Sequence, residues 1–225
     1  RYSEDSFDSL YKPKGNLAND YADILYGLNS GDVFGPYKDG NKYKISRFLD
    51  RKKGGSIRAS HILISYKDAS RANPSVTRDK KEAQEIANKI YSKARKNVKN
   101  FSQLAIENSD GPSKNMGGDL GFFQEGTMTE KFYSFCEKAR IGRVGLIETE
   151  FGYHIIHVTD KKDLVLIADI TREIIASEET SNKVFMDVTK FEIEAKDKDF
   201  LKTAENYKYK VQEVDKIEVL EENLP

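Results

Sequence analysis

Apolar positions fall into three successive patterns along the chain. Leu17, Tyr21, Ile24, Leu25 and Leu28 recur at helical spacing, with Asn16 placed as N-cap and Pro13-Lys14-Gly15 as the preceding turn. Two strand-like runs follow, Val33–Tyr37 and Tyr43–Leu49, joined by the turn signal Asp39-Gly40-Asn41. Arg51-Lys52-Lys53-Gly54-Gly55 reads as a linker. The strand Ile57–Ser65 then leads through a loop with Pro74 to a helix striped by Ala83, Ile86, Ala87, Ile90 and Ala94. Asn100 and Gln103 resemble a capping box for a short helix carrying Leu104 and Ala105. The glycine-dense Gly117-Gly118-Asp119-Leu120-Gly121-Phe122-Phe123 predicts tightly turned backbone entering a strand. Phe132, Phe135, Cys136 and Ala139 give another helical stripe, followed by strands near Val144–Ile147 and Tyr153–Thr159. The last third opens with the strand Leu164–Ile174. It continues with a helix capped by Ser177 and carrying Val184, Phe185, Val188 and Phe191, interrupted at Asp197-Lys198-Asp199. A strand around Tyr209–Val214 and a frayed acidic end, Glu218–Pro225, complete the expectation.

One stretch parallels another. Gly31 to Lys52 and Gly142 to Lys162 share their glycines, a Tyr-x-Ile core and a closing Asp, with Tyr43-to-Asp50 and Tyr153-to-Asp160 equally spaced. Two ordinary hairpins with similar turns account for this. So does a degenerate copy, in which Lys44 stands where His154 stands.

Composition narrows the classes. The 225 residues carry 37 Lys+Arg against 37 Asp+Glu, so no excess of positive charge points to a nucleic-acid partner. Charged residues make up 33%, above the usual value of about 25%, and apolar ones only 38%, which suits a compact domain with well-solvated flanks. A single Cys excludes a disulfide framework and a Cys-based zinc site. The longest apolar run, Leu164–Ala168, is far short of the roughly 18 residues of a membrane-spanning helix. The chain starts at Arg1 without a signal-like segment and reads as a fragment, with any targeting segment or anchor expected upstream.

All three histidines lie in the middle third. His61, within Ala59-Ser60-His61-Ile62-Leu63-Ile64, and His154, within Phe151-Gly152-Tyr153-His154-Ile155-Ile156, read as hydrogen-bonded core histidines on strands. His157 faces away from His154 by the two-residue strand period, which disfavours a three-histidine zinc site. Cys136, on an apolar stripe, reads as a small buried hydrophobe rather than a nucleophile. Phe132, Tyr133 and Phe135 read as core.

Three ordered motifs then change the picture. Arg58-Ala59-Ser60-His61-Ile62-Leu63-Ile64 resembles the opening strand of parvulin-type peptidyl-prolyl cis/trans isomerases. Ser109-Asp110-Gly111-Pro112-Ser113, followed by Gly117 to Phe123, resembles their central motif, and Phe151 to Ile156 their closing strand. The resemblance implies an α+β fold. A four-stranded antiparallel sheet with surrounding helices would form residues 56–162, flanked by a smaller α+β region made by the termini, 1–55 and 163–225. It implies catalytic roles for His61, His154, Thr149 and Asp110, and a proline pocket of Leu120, Met128 and Phe132. Met128 and Phe132, four apart, are expected on one face at the start of a helix. The reaction calls for no metal and no cofactor. Gly111 departs from the pattern, standing where parvulins often place Cys or Asp, and implies weak to moderate activity with Asp110 as a partial substitute.

The loop Lys67-Asp68-Ala69-Ser70-Arg71-Ala72 lacks the adjacent arginine pair of phosphate-directed parvulins, so unphosphorylated Xaa-Pro bonds are the expected substrate. A parvulin domain between such flanks resembles the SurA- and PpiD-type folding factors of the bacterial envelope or periplasm, whose partners are unfolded or extended polypeptides. The alternative is a non-catalytic chaperone module that uses the pocket only to grip peptides.

Overall fold

A computed structural model describes residue 3 and residues 5–212. Two compact units divide the chain, Arg1–Arg172 and Glu173–Pro225.

The first unit is organised by two very long strands. Strands β1 (Val33–Asp39) and β2 (Lys42–Ile64) form an antiparallel hairpin, as do β4 (Val144–Thr149) and β5 (Gly152–Glu173). The sheet order is β1-β2-β5-β4, so the two long strands lie side by side in its centre. Strand β3 (Asp119–Phe123) pairs antiparallel with β2 at Ile57, Arg58 and Ser60. Four helices belong to this unit: α1 (Ala22–Gly27), α2 (Lys80–Lys96), α3 (Phe101–Asn108) and α4 (Glu130–Lys138). The protein is thus the mixed α+β fold expected, with its helices around an antiparallel framework.

Alternation along the long strands separates two cores. Ile62, Ile64, Tyr153 and Ile155 pack with Ala83, Ala87 and Ile90 of α2 and with Phe101 and Ala105 of α3. Ile57, Ala59, Ile156 and Val158 pack instead with Phe132, Tyr133 and Cys136 of α4. Helix α2 starts at a capping box between Asp79 and Glu82. The pair expected to cap α3 does not: Asn100 makes no side-chain cap bond, and Gln103 donates to Glu107 Oε1 instead.

The other ends of β2 and β5 carry a third core, where Leu25, Tyr37 and Phe48 meet Val165 and Ile167. Three expectations change here. The helix over Leu17–Leu28 is shorter, broken into 3₁₀ turns at Lys14–Asn16 and Asn19–Tyr21 before α1, and Asn16 does not cap it. Asn16, Asn19 and Asp20 offer the backbone competing local hydrogen bonds, which favours turns over helix. Arg51–Gly55 is not a linker but lies inside β2. There Gly54 has φ +62°, its N–H donates to Asp163 Oδ1 at 2.9 Å, and Gly55 lies close against Leu164. The glycines permit close approach between β2 and β5 rather than flexibility. Finally, Tyr153–Thr159 and Leu164–Ile174 merge into the single strand β5, so residue borders 55/56 and 162/163 both fall within continuous strands.

The second unit is helical. Ser177 caps α5 (Glu178–Asp197) by accepting from Thr180 N, and Asp199 caps α6 (Phe200–Asn206) by accepting from Lys202 N. The rings of Phe200, Tyr207 and Tyr209 meet Phe191 edge to face at 5.1–5.6 Å. Of the expected α5 stripe, Val184, Phe185 and Val188 are exposed. Residues 209–212 are not strand, and the remainder of that expected strand, with the acidic end, lies outside the described residues.

Candidate active site

His61 on β2 and His154 on β5 are brought together by the pairing of the two long strands. Their rings stack, centroids 5.4 Å apart and planes inclined by 18°, with the two Nδ1 atoms 3.2 Å apart. Both are buried, 7% and 5% exposed. Behind His61, Gly118 (φ +82°) brings the backbone against the strand. Its carbonyl accepts from His61 N at 2.8 Å, and a Cβ there would sit 2.3 Å from the His61 carbonyl oxygen.

Thr149, at the end of β4, completes a polar relay. Its Oγ1 accepts from Phe151 N–H at 3.2 Å and lies 2.8 Å from His154 Nε2. One proton lies between the two Nδ1 atoms, so the tautomer of one ring fixes that of the other and with it the direction of the Thr149–His154 bond. His61 Nε2 is buried and has no partner. Burial holds His61 down to about 4. Burial, and after it the neighbouring His61, holds His154 down to about 3. Both imidazoles are therefore neutral at pH 7.

The apolar side of the site is Phe132. Its ring stands edge-on to both histidines, at 5.7 and 5.5 Å with interplanar angles of 81°, and contacts Phe123 at 6.0 Å. Leu120 and Met128 are half-buried in the same cluster. Met128 is not on the helix with Phe132: it precedes Thr129, the N-cap residue of α4, and reaches the cluster from the loop.

Asp110 is drawn elsewhere. Its Oδ2 accepts from Ser65 N–H at 2.9 Å and from Arg78 Nη2, and its own N–H donates to the Leu63 carbonyl. It ties the central loop to β2 and makes no hydrogen bond to His61. Gly111 does face that ring: a Cβ built on it would lie 3.5 Å from His61 Nε2 and in ordinary contact with Leu63 and Ser109. Ser109 was not singled out from the sequence. Its buried hydroxyl accepts from both Leu63 N and Gly111 N at 3.1 Å and so fixes the path of Gly111. Arg78 was missed as well. Charged residues in loops give no local signal, and only the Asp110 contact reveals it.

Cys136 is fully buried in α4, and burial pushes its thiol up to about 12, the behaviour of a core side chain. His157 lies away from the pair, with its ring 5.4 Å from Phe101. Among the described residues no three His, Cys, Asp or Glu side chains cluster as a metal would require, and no helix is long and apolar enough to cross a membrane.

Residues 43–162, more than half the chain, match the family described as "PPIC-type PPIASE domain", and the chain belongs to that family. Among its relatives, foldase protein PrsA 2 of Bacillus anthracis is 29% identical over 191 residues, covering 82% of this chain and 64% of that protein. Chaperone SurA of Idiomarina loihiensis is 30% identical over 151 residues, covering 64% of this chain and 33% of that protein. The chain thus spans a third to just under two thirds of these relatives' length. A solved structure of peptidyl-prolyl isomerase ESS1 from Candida albicans is 32% identical, covers 47% of this chain and 63% of its own, and superposes with a TM-score of 0.45.

Proposed function

We propose that this chain is a peptidyl-prolyl cis/trans isomerase that acts on unphosphorylated Xaa-Pro bonds in extended or unfolded polypeptides and assists folding in the bacterial envelope. The observation that carries the reading is the apolar set Leu120, Met128 and Phe132 facing a neutral, hydrogen-bonded His61–His154–Thr149 wall. Isomerisation requires only that the amide twist through a state without resonance, against a barrier of about 18–20 kcal/mol. That state has less charge separation than the planar amide. A dry apolar seat for the proline ring therefore favours it, while the histidine wall orients what remains polar. His61, His154 and Thr149 are the polar residues of the site in this reading, and Asp110 acts by positioning the central loop.

Selectivity for unphosphorylated bonds is supported by the loop after β2. Arg71 lies over the Phe151 ring at 5.8 Å, and Arg78 is held by Asp110, so no arginine pair is presented there. The relatives named foldase and chaperone support a role in folding, and resemblance to envelope folding factors supports the location.

The unpartnered His61 Nε2 beside Gly111 favours one second reading, a module that grips proline peptides without accelerating them. NMR exchange rates of unphosphorylated Xaa-Pro peptides separate the two. The expected result is catalysed exchange that falls about tenfold or more in His61→Ala and Met128→Ala. Gly111→Asp, at an ordinary backbone position (φ −82°, ψ 159°), is expected to raise the rate by giving Nε2 a carboxylate partner. Peptide binding with no acceleration in the parent chain would leave the gripping module as the function.

A further inference from the structure

Past Val158, among the described residues, the side of β5 away from β2 has no partner strand. β4 ends there, and the segment before α1 covers the remainder. Residues 5–12 run along this edge as a strap. Lys12 and Val165 exchange both backbone hydrogen bonds, N–H to carbonyl at 2.8 and 2.9 Å. At the far end the Thr171 N–H donates to Ser3 Oγ, and Asp5 N–H donates to Thr171 Oγ1, both at 3.2 Å. Lys42 donates to the Asp5 carboxylate at 2.9 and 3.0 Å.

Between these two anchors the strap stands off. Residues Val165, Ile167, Asp169 and Thr171 present their backbone groups to the same side, because strand residues alternate in direction. The first and last are engaged by the strap, but it makes no backbone bond to Ile167 or Asp169. A cavity of about 230 Å³ separates them from residues 5–8, lined also by Lys44 and Thr171. Beyond the Lys12 anchor a second cavity, of about 520 Å³, lies under Leu10 and Tyr11 and against Lys52, Gly55 and Leu164. No residue from Asp5 to Lys12 is buried, and Phe7 and Leu10 are 56% and 68% exposed. The strap is an extended segment held at its ends, with little apolar burial to retain it.

We propose that the β5 edge from Val165 to Thr171 is a strand-addition site for an extended polypeptide, kept covered by residues 5–12 as a displaceable strap. Its occupant is an extended segment of another protein that pairs with all four edge residues and sets an acidic side chain opposite Lys42, where Asp5 now sits. An open edge with the backbone groups of Ile167 and Asp169 unpaired by the strap is a template for such pairing, and a fully registered strand makes more bonds there than the strap does. The site lies outside the histidine pocket and does not rest on the isomerase reading. Its test reads binding, not turnover.

The probe is a fluorescent ten-residue peptide of alternating threonine and valine, with one aspartate set where Asp5 stands in the strap, titrated by anisotropy into the full chain and into Lys12→Pro and Asp5→Ala. These two changes weaken the strap and leave the edge intact. Because a tethered strap competes at high effective concentration, the probe is expected to bind both variants about tenfold more tightly than the parent. Amide exchange at Ile167 and Asp169 should slow when it binds. The probe N-methylated at alternate residues should not bind, and lysine in place of its Asp5 equivalent should weaken binding. Lack of binding when faster exchange at Val165 shows the strap released would overturn the proposal. Binding that leaves Ile167 and Asp169 unprotected would do the same, as would self-association of Lys12→Pro that excludes the probe.

Discussion

The hairpins β1–β2 and β4–β5 have nearly the same dimensions, 7 and 23 residues against 6 and 22, and they lead into opposite uses. In each, a side chain from the end of the short strand holds one near the start of the long strand. Thr149 Oγ1 meets His154 Nε2 in one hairpin, and Lys44 Nζ donates to Asp39 Oδ2 in the other. Around Lys44 the polar groups form a closed chain, with Tyr37 O–H on Ser46 and Ser46 on Asp169 at 2.5–2.7 Å. Around His154 the chain is left open. Among the described residues the buried side-chain polar atoms without a partner are His61 Nε2, Ser113 Oγ, Thr129 Oγ1 and Tyr133 Oη, all in the isomerase half. Buried polar atoms are ordinarily satisfied, so the contrast sets the closed Lys44 end of the long strands apart from a histidine end that keeps capacity in reserve.

The largest test of this contrast is Phe132→Ala. It should cost about 3–5 kcal/mol in denaturant unfolding and abolish catalysed exchange, since one ring supports both the core and the histidine pair. A stable variant with normal exchange would show that the site does not depend on its apolar side. Acid comes next. Because His61 and His154 are depressed from 6.5 to about 4 and about 3, the unfolded chain takes up protons first as pH falls. Stability from their burial is present in full above about pH 6.5 and declines toward pH 4, by about 1.4 kcal/mol per unit for each histidine. The Lys44 end has no such step in that window. Burial opposes its charge, but the hydrogen bond and charge of Asp39 carry Lys44 above its usual value, so its contribution is lost only at alkaline pH. An NMR titration showing either imidazole protonating near 6.5 in the folded protein would break the comparison. The smallest effect is Ser46→Ala, which opens the closed chain. It should cost about 1–3 kcal/mol in thermal unfolding while leaving proline exchange unchanged. Loss of exchange would mean that the two ends are coupled.

The sequence was most legible where local pattern and burial agree. The α2 stripe and the Ser177 cap could be read directly, because each rests on local spacing. What escaped reading depends on partners far along the chain. Gly54-Gly55 looks flexible until β5 is laid beside it, and the bonds from Ser65 and Arg78 that hold Asp110 come from residues 45 and 32 positions away. The Asp79–Glu82 box is a local signal for α2, whereas at α3 the residue types of Asn100 and Gln103 fit a cap but the backbone geometry does not.

The third core carries a consequence for synthesis. Leu25, Tyr37 and Phe48 meet Val165 and Ile167, partners more than a hundred positions later in the chain. A ribosome adding roughly 5–20 residues per second needs several seconds or more to deliver them. During that interval the first hairpin has made its own turn without the strand that completes its core, and His61 waits for His154 on that same strand. The first hairpin is therefore made well before its partner strand and is among the last of the described parts to become solid, so in its own biogenesis it passes through the exposed state of an unfinished chain.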